Sequence, residues 1–205
     1  MNDIYEYRGA ADLVYAEVTE DSDSNFTTGT VKDLAGLAKV SKKTNSSSTT
    51  KNYDNVPAIT VNTTGADDIT LDVSGIPYDT LADITGQYYD NTTGMYVEQE
   101  RSNKYFALGY KIKNTKGEEI YVWRLKGTFQ IPDQENDTES NDANSNGQTL
   151  NYTGISTVHK FSKTNKPGKA VNVNISKNLI SASAISGFFD SVQTPDTIVP
   201  KTPTM

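Results

Sequence analysis

The chain has 205 residues and a mass of 22.4 kDa, enough for one domain with a core and short for two. Its hydrophobic fraction is 35%, its mean hydropathy is −0.59, and Ser, Thr and Asn fill roughly 60 positions, so either the core is thin or part of the burial occurs between subunits. A net charge of −7 opposes gripping nucleic acid, the absence of cysteine removes disulfides, thiol nucleophiles and cysteine-held zinc, and the single His159 leaves no histidine cluster for a metal.

The opening MNDIYEYRGA is not charged-then-apolar, and no run of about 18 apolar residues follows, so neither a secretory leader nor a membrane span is expected. Short alternating runs of β-branched and aromatic residues then predict strands at 13–18, 58–62, 69–73, 105–113, 120–131 and 150–161. Between the first two, VKDLAGLAKV reads either as a helix on Leu34, Leu37 and Ala38 or as a loop leading into a strand. The low-complexity stretch SKKTNSSSTTKN (41–52) reads as a mobile loop, because it has too little apolar surface to offset its ordering entropy. PYDTLADITG sets Leu81 and Ile84 on one face between Pro77 and Gly86 and predicts a short helix.

The plainest local unit is a hairpin, YFALGYKIK and IYVWRLKGTFQI about the turn NTKGEE, whose Gly117 can take positive φ. In its second strand Tyr121, Trp123 and Leu125 alternate with Val122, Arg124 and Lys126, which predicts one buried aromatic face and one basic face toward solvent or a partner. A second low-complexity loop, acidic, is expected at 133–147. ISASAISGFF is a weak helix candidate, and the proline-punctuated end reads as an extended arm.

Charge alternates in blocks. Residues 1–30 sum to −6, 31–51 to +4, 52–100 to −9, 101–132 to +5, 133–159 to −5 and 160–177 to +5. Such blocks are either solvated loops or oppositely charged surfaces meeting in a repeated head-to-tail contact.

Chemistry is scarce. DANSNG (142–147) opens like a calcium loop, but its twelfth position is Thr153 where a bidentate Glu is required. No G-x-S-x-G elbow, P-loop or G-x-G-x-x-G occurs, and the pairs Asp67/Asp68 and Asp79/Asp83 read as opposite strand faces and a solvated helix face. Tyr88, Tyr89, Tyr96 and Trp123 would be the platforms of a carbohydrate-binding or adhesion module, the alternative from another class. No catalytic residue, cofactor or metal is expected.

Several phrases, in order, resemble the major tail proteins that build the tube of long non-contractile phage tails in phages of Gram-positive hosts. They are YEYRGAADLVYAEVTED, KNYDNVPA, GIPYDTLADITG, TTGMYVEQE, KYFALGYKIKNTKGEEIYVWRLKGTF and LNYTGISTVHKF, spread over about 160 residues. The resemblance implies a mainly β fold: a β-sandwich or barrel subunit with one short flanking α-helix, extended loops and a C-terminal arm. It divides the chain into a tube domain (1–165) and a C-terminal strand or arm (166–205). It implies hexameric rings stacked in the virion around a tape-measure protein, tail-tip or baseplate and terminator proteins as further partners, and DNA passing without specific binding. By position, Lys42, Lys43, Lys51, Tyr53, Asp54 and Asn55 would belong to the loop that reaches the next ring, and the charge map adds Lys160, Lys163 and Lys166 as assembly residues.

Overall fold

A computed structural model describes residues 4–135 and 147–201. The elements are β1 (Tyr7–Asp21), β2 (Phe26–Thr28), β3 (Lys32–Asp33), β4 (Leu37–Tyr53), β5 (Val56–Val73), α1 (Tyr78–Thr85), β6 (Tyr88–Asp90), β7 (Met95–Val97), β8 (Phe106–Asn114), β9 (Glu119–Phe129), β10 (Gln148–Ile155), β11 (Lys160–Phe161), β12 (Lys166–Pro167), β13 (Ala170–Asn174), a 3-10 turn (Ile175–Lys177) and α2 (Ala182–Ser186). The fold is mainly β with few helices: one large antiparallel sheet runs β2-β1-β8-β9-β10-β5-β4, with β3 on β1 and β13 on β9, and β6–β7 and β11–β12 form two small sheets. β13 and β10 share one edge of β9, pairing Ile120–Arg124 and Lys126–Phe129 in turn, while β8 takes the other edge. That fork divides the sheet into two leaves.

Both faces of the β1-β8-β9 leaf are covered. Toward the β10-β5 leaf and α1 lie Tyr15, Phe106, Leu108, Val122, Phe129, Leu71, Ile84 and Tyr152. On the far side Val14, Ala107, Tyr121, Trp123 and Leu125 pack against Phe161, Phe188 and Val192. The C-terminal stretch, expected as an extended arm, instead folds back with a 3-10 turn and α2 as the cover of this second cluster: Trp123 Nε1 donates to the Phe188 carbonyl at 3.0 Å. Two glycines make room for the rings. A Cβ on Gly109 would stand 3.0 Å from the Trp123 ring, and one on Gly127 2.4 Å from that of Tyr152.

The hairpin of β8 and β9 forms as expected, with Gly117 at φ 82°. Its second strand corrects the expectation of a basic face open to solvent or a partner. Arg124 and Lys126 are buried because the C-terminal cover occupies one side of β9 and the β10-β5 leaf the other. VKDLAGLAKV resolves as loop and strand, α1 ends at Gly86 in the left-handed conformation, and α2 forms from the weaker candidate.

The largest departure is at 41–52, expected as a loop. These residues lie in β4, which pairs with β5 through fifteen positions from Leu37↔Val73 to Tyr53↔Val56. The strands expected at 58–62 and 69–73 are one strand, β5. Ser and Thr tolerate the extended backbone, and a ladder of main-chain hydrogen bonds supplies order that apolar burial does not. Asp142, Asn144 and Asn146, which open like a calcium loop without completing one, and most of the acidic loop lie outside the described residues.

Candidate functional site

The β4–β5 hairpin has two halves. From Asp67 to Val73, β5 alternates over the core between buried residues and exposed or half-buried ones, and from Val56 to Gly65 every residue is exposed. Register shifts between Thr44 and Ser46 mark the change, where Asn45 Nδ2 also donates to Asp68 at 2.9 Å. Beyond it the ribbon from Ser46 to Tyr53 extends about 27 Å from the body at the usual rise per strand residue. The tip is a two-residue turn at Asp54 and Asn55, φ 50° and 66°, the left-handed pair that matches hairpin twist and that Asp and Asn tolerate best after glycine.

The projecting arm is amphipathic. Ser47, Thr49, Lys51 and Tyr53 of β4 share a face with Thr63, Val61, Ile59 and Val56 opposite them. Four apolar side chains therefore stand in solvent on one face: Tyr53 (57% exposed), Val56 (61%), Ile59 (49%) and Val61 (50%). The other face carries Ser48, Thr50, Thr60, Asn62 and Thr64, with Thr50 and Thr60 hydroxyls 3.2 Å apart.

A buried charge cluster fixes the base of the arm. Asp67 meets Arg124 Nη1 and Lys169 Nζ, each at 3.2 Å, and Arg124 also donates to the Tyr110 hydroxyl. Lys169 donates in addition to the Gly65 carbonyl, so one ammonium ties the C-terminal segment to the root of the ribbon. Burial disfavours ionised Asp67, but the Thr44 and Lys169 hydrogen bonds and the Lys169 and Arg124 charges outweigh it and hold the carboxyl below its ordinary range. Asp21 follows the same pattern: against its own burial, Lys126 at 2.6 Å and the backbone N–H groups of His159 and Val158 keep it low.

These shifts have a pH consequence. Because both carboxyls titrate lower folded than unfolded, the unfolded chain binds more protons below the ordinary carboxylate value, and stability falls as pH drops from about 4 toward the folded values. Urea midpoints measured at pH 7, 4 and 3 will fall most steeply over the last interval, and Asp67→Asn will be less stable at pH 7 with a flatter profile.

Most of the charge blocks meet inside the subunit. Antiparallel pairing lays basic β4 on acidic β5, giving Lys39–Asp72, and basic β8 on acidic β1, giving Lys111–Asp12, while Lys126 of β9, one strand further on, reaches Asp21 at the end of β1. Lys32 and Lys104 converge on Asp83 of α1. Among the described residues Lys43, Lys51, Lys160 and Lys166 have no ion-pair partner; Lys42 donates to Thr44 and Lys163 to the Ile198 carbonyl. Of the expected assembly residues, Lys42, Lys43, Lys51 and Tyr53 lie on β4 with Asp54 and Asn55 at its tip, whereas Lys160, Lys163 and Lys166 lie on the separate β11–β12 ribbon. The apolar half of the arm face, on β5, carries no motif; its only signal is Ile59 and Val61 alternating within a polar run.

Among the described residues β4 and the start of β1 each leave an edge open. β4 has only β5 as a partner, and the first half of β1 has only β8, with Gly9 and Asp12 at positive φ breaking its register. The two edges face each other across a cleft of about 200 Å³ between Tyr7–Ala10 and Ala38–Val40 without pairing. Trp123 is wholly buried, which removes it as a sugar platform. Among the described residues no helix is long and apolar enough to cross a membrane. The chain matches no known family model and no curated protein.

Proposed function

We propose that this chain is a self-assembling structural subunit, non-enzymatic, whose arm and open strand edges are completed by other copies. Within that class the reading the sequence supports best is a phage tail tube protein. Hexameric rings stack in the virion around a tape-measure protein, between tail-tip and terminator proteins, and later conduct DNA.

The observation that carries the reading is the arm. A two-stranded ribbon exposed on both faces is marginal in water by itself, and one with four apolar side chains on a single face gains stability by docking. Open edges at β4 and the start of β1 suit lateral pairing around a ring, because a main-chain ladder left unpaired is a template for a neighbour. The net charge of −7 suits a conduit that must not hold phosphates.

Negative-stain electron microscopy of the purified protein at high concentration, with and without a tail-tip nucleus, tests this. Rings or hollow tubes are the expected result. Monomers alone under both conditions would reject it.

A further inference from the structure

Arm and α1 occupy opposite ends of β5. The strand runs from Val56 at the tip to Val73, and α1 begins five residues later; the contour of eighteen strand residues is about 60 Å. At this far end Gln148, registered opposite Val73, lines a groove of about 420 Å³ with Tyr78, Leu81, Tyr96, Glu98 and Ile131. Tyr78 and Tyr96 stack at 5.2 Å, and Tyr78 (53%) and Ile131 (50%) stand open to solvent. No Lys or Arg occurs anywhere in 52–100, and Glu98, which lines the groove, is exposed.

We infer that this groove receives the arm of a second copy, with Tyr53, Val56, Ile59 and Val61 on its tyrosine wall and Lys51 toward Glu98. The inference rests on the tube reading and names the surface that the arm engages. Three observations select the occupant. The arm's exposed face is apolar with one cation, Lys51, and the groove is aromatic with one exposed carboxylate, Glu98, so the two match in both respects. A chain cannot fill its own groove, because the continuous strand β5 holds the two apart. When each copy's arm enters the groove of the next and not of the one before, the contact is heterologous, and where its rotation does not close it repeats along the strand axis as a filament.

The chain has no cysteine, so paired thiols read the contact cleanly. Ile59→Cys and Ile131→Cys in one chain, assembled and oxidised, should give a ladder of covalent trimers and larger species on non-reducing gels. Docking raises the effective thiol concentration, so the yield should exceed that of either single variant by about tenfold or more. Normal tubes with no ladder would overturn the groove and leave the tube reading standing, whereas the absence of any assembly by the unsubstituted protein would overturn both. An intramolecular crosslink in a monomer would place the arm in its own groove and also reject the inference. Independently, Lys51→Glu should weaken assembly by about tenfold and Glu98→Lys in the same chain should restore it; tubes that the second change fails to restore count against the inference.

Discussion

Replacing residues 46–64 with an Asn-Gly turn will give a subunit that folds and does not elongate. Every side chain of β5 removed by this change is exposed, and the body keeps the Asp67 cluster, both apolar clusters and the remaining strand pairs. Circular dichroism should be little altered and the melting temperature should move by only a few degrees. Assembly is another matter. Four half-exposed apolar side chains docking at about 1 kcal/mol each amount to roughly 4 kcal/mol, or about three orders of magnitude in the contact constant. Tubes counted by electron microscopy should vanish at concentrations where the intact chain forms them. Normal tubes from the shortened protein would end the arm's role. Both strands must be shortened together: removing 43–50 alone takes Lys43 and Thr44 from opposite Asp68 and Asp67 and leaves the return strand without a partner.

Trp123→Ala will cost about 3 to 5 kcal/mol, a large part of the 5 to 15 kcal/mol expected of a whole domain. The indole is wholly buried, lies against Phe189 with ring centroids 5.8 Å apart, and holds the C-terminal cover through its bond to the Phe188 carbonyl. Removing it opens a cavity between β9 and that cover. Trp123→Phe keeps most of the volume and loses the hydrogen bond, leaving a buried carbonyl unpaired, so about 1 to 3 kcal/mol is expected. Urea denaturation followed by circular dichroism gives both values. A loss below about 0.5 kcal/mol would mean that the residue is a surface platform after all.

The helix at 78–85 and the β8–β9 hairpin were legible because each carries a local cause: apolar positions at helical spacing with a Pro start and a Gly stop, and alternating runs about a turn that needs positive φ. The strand character of 41–52 was not legible. Its Ser, Thr, Asn and Lys run has the composition of a loop, and what orders it is a partner strand supplied by residues 56–73. Lys126 and Arg124 misled in the opposite direction. Their alternation with Tyr121, Trp123 and Leu125 signals an exposed face, yet Asp21 and Asp67, remote in the chain, neutralise them within the protein.

By itself the sequence determined that this is an acidic, cysteine-free, β-rich chain with one short flanking helix and too few apolar residues for its length, because composition and local periodicity act within a few residues. Only the tertiary structure decided where the charge blocks go. Part of the −9 block, Asp67, Asp68 and Asp72 of β5, lies beside the lysines of β4, a third outcome beside solvated loops and a contact between molecules, since antiparallel pairing brings distant residues into register. It also decided which apolar residues stay outside. Tyr53, Val56, Ile59 and Val61 resemble core residues in sequence and remain exposed because the ribbon that carries them runs past the edge of the body, where no second layer covers it.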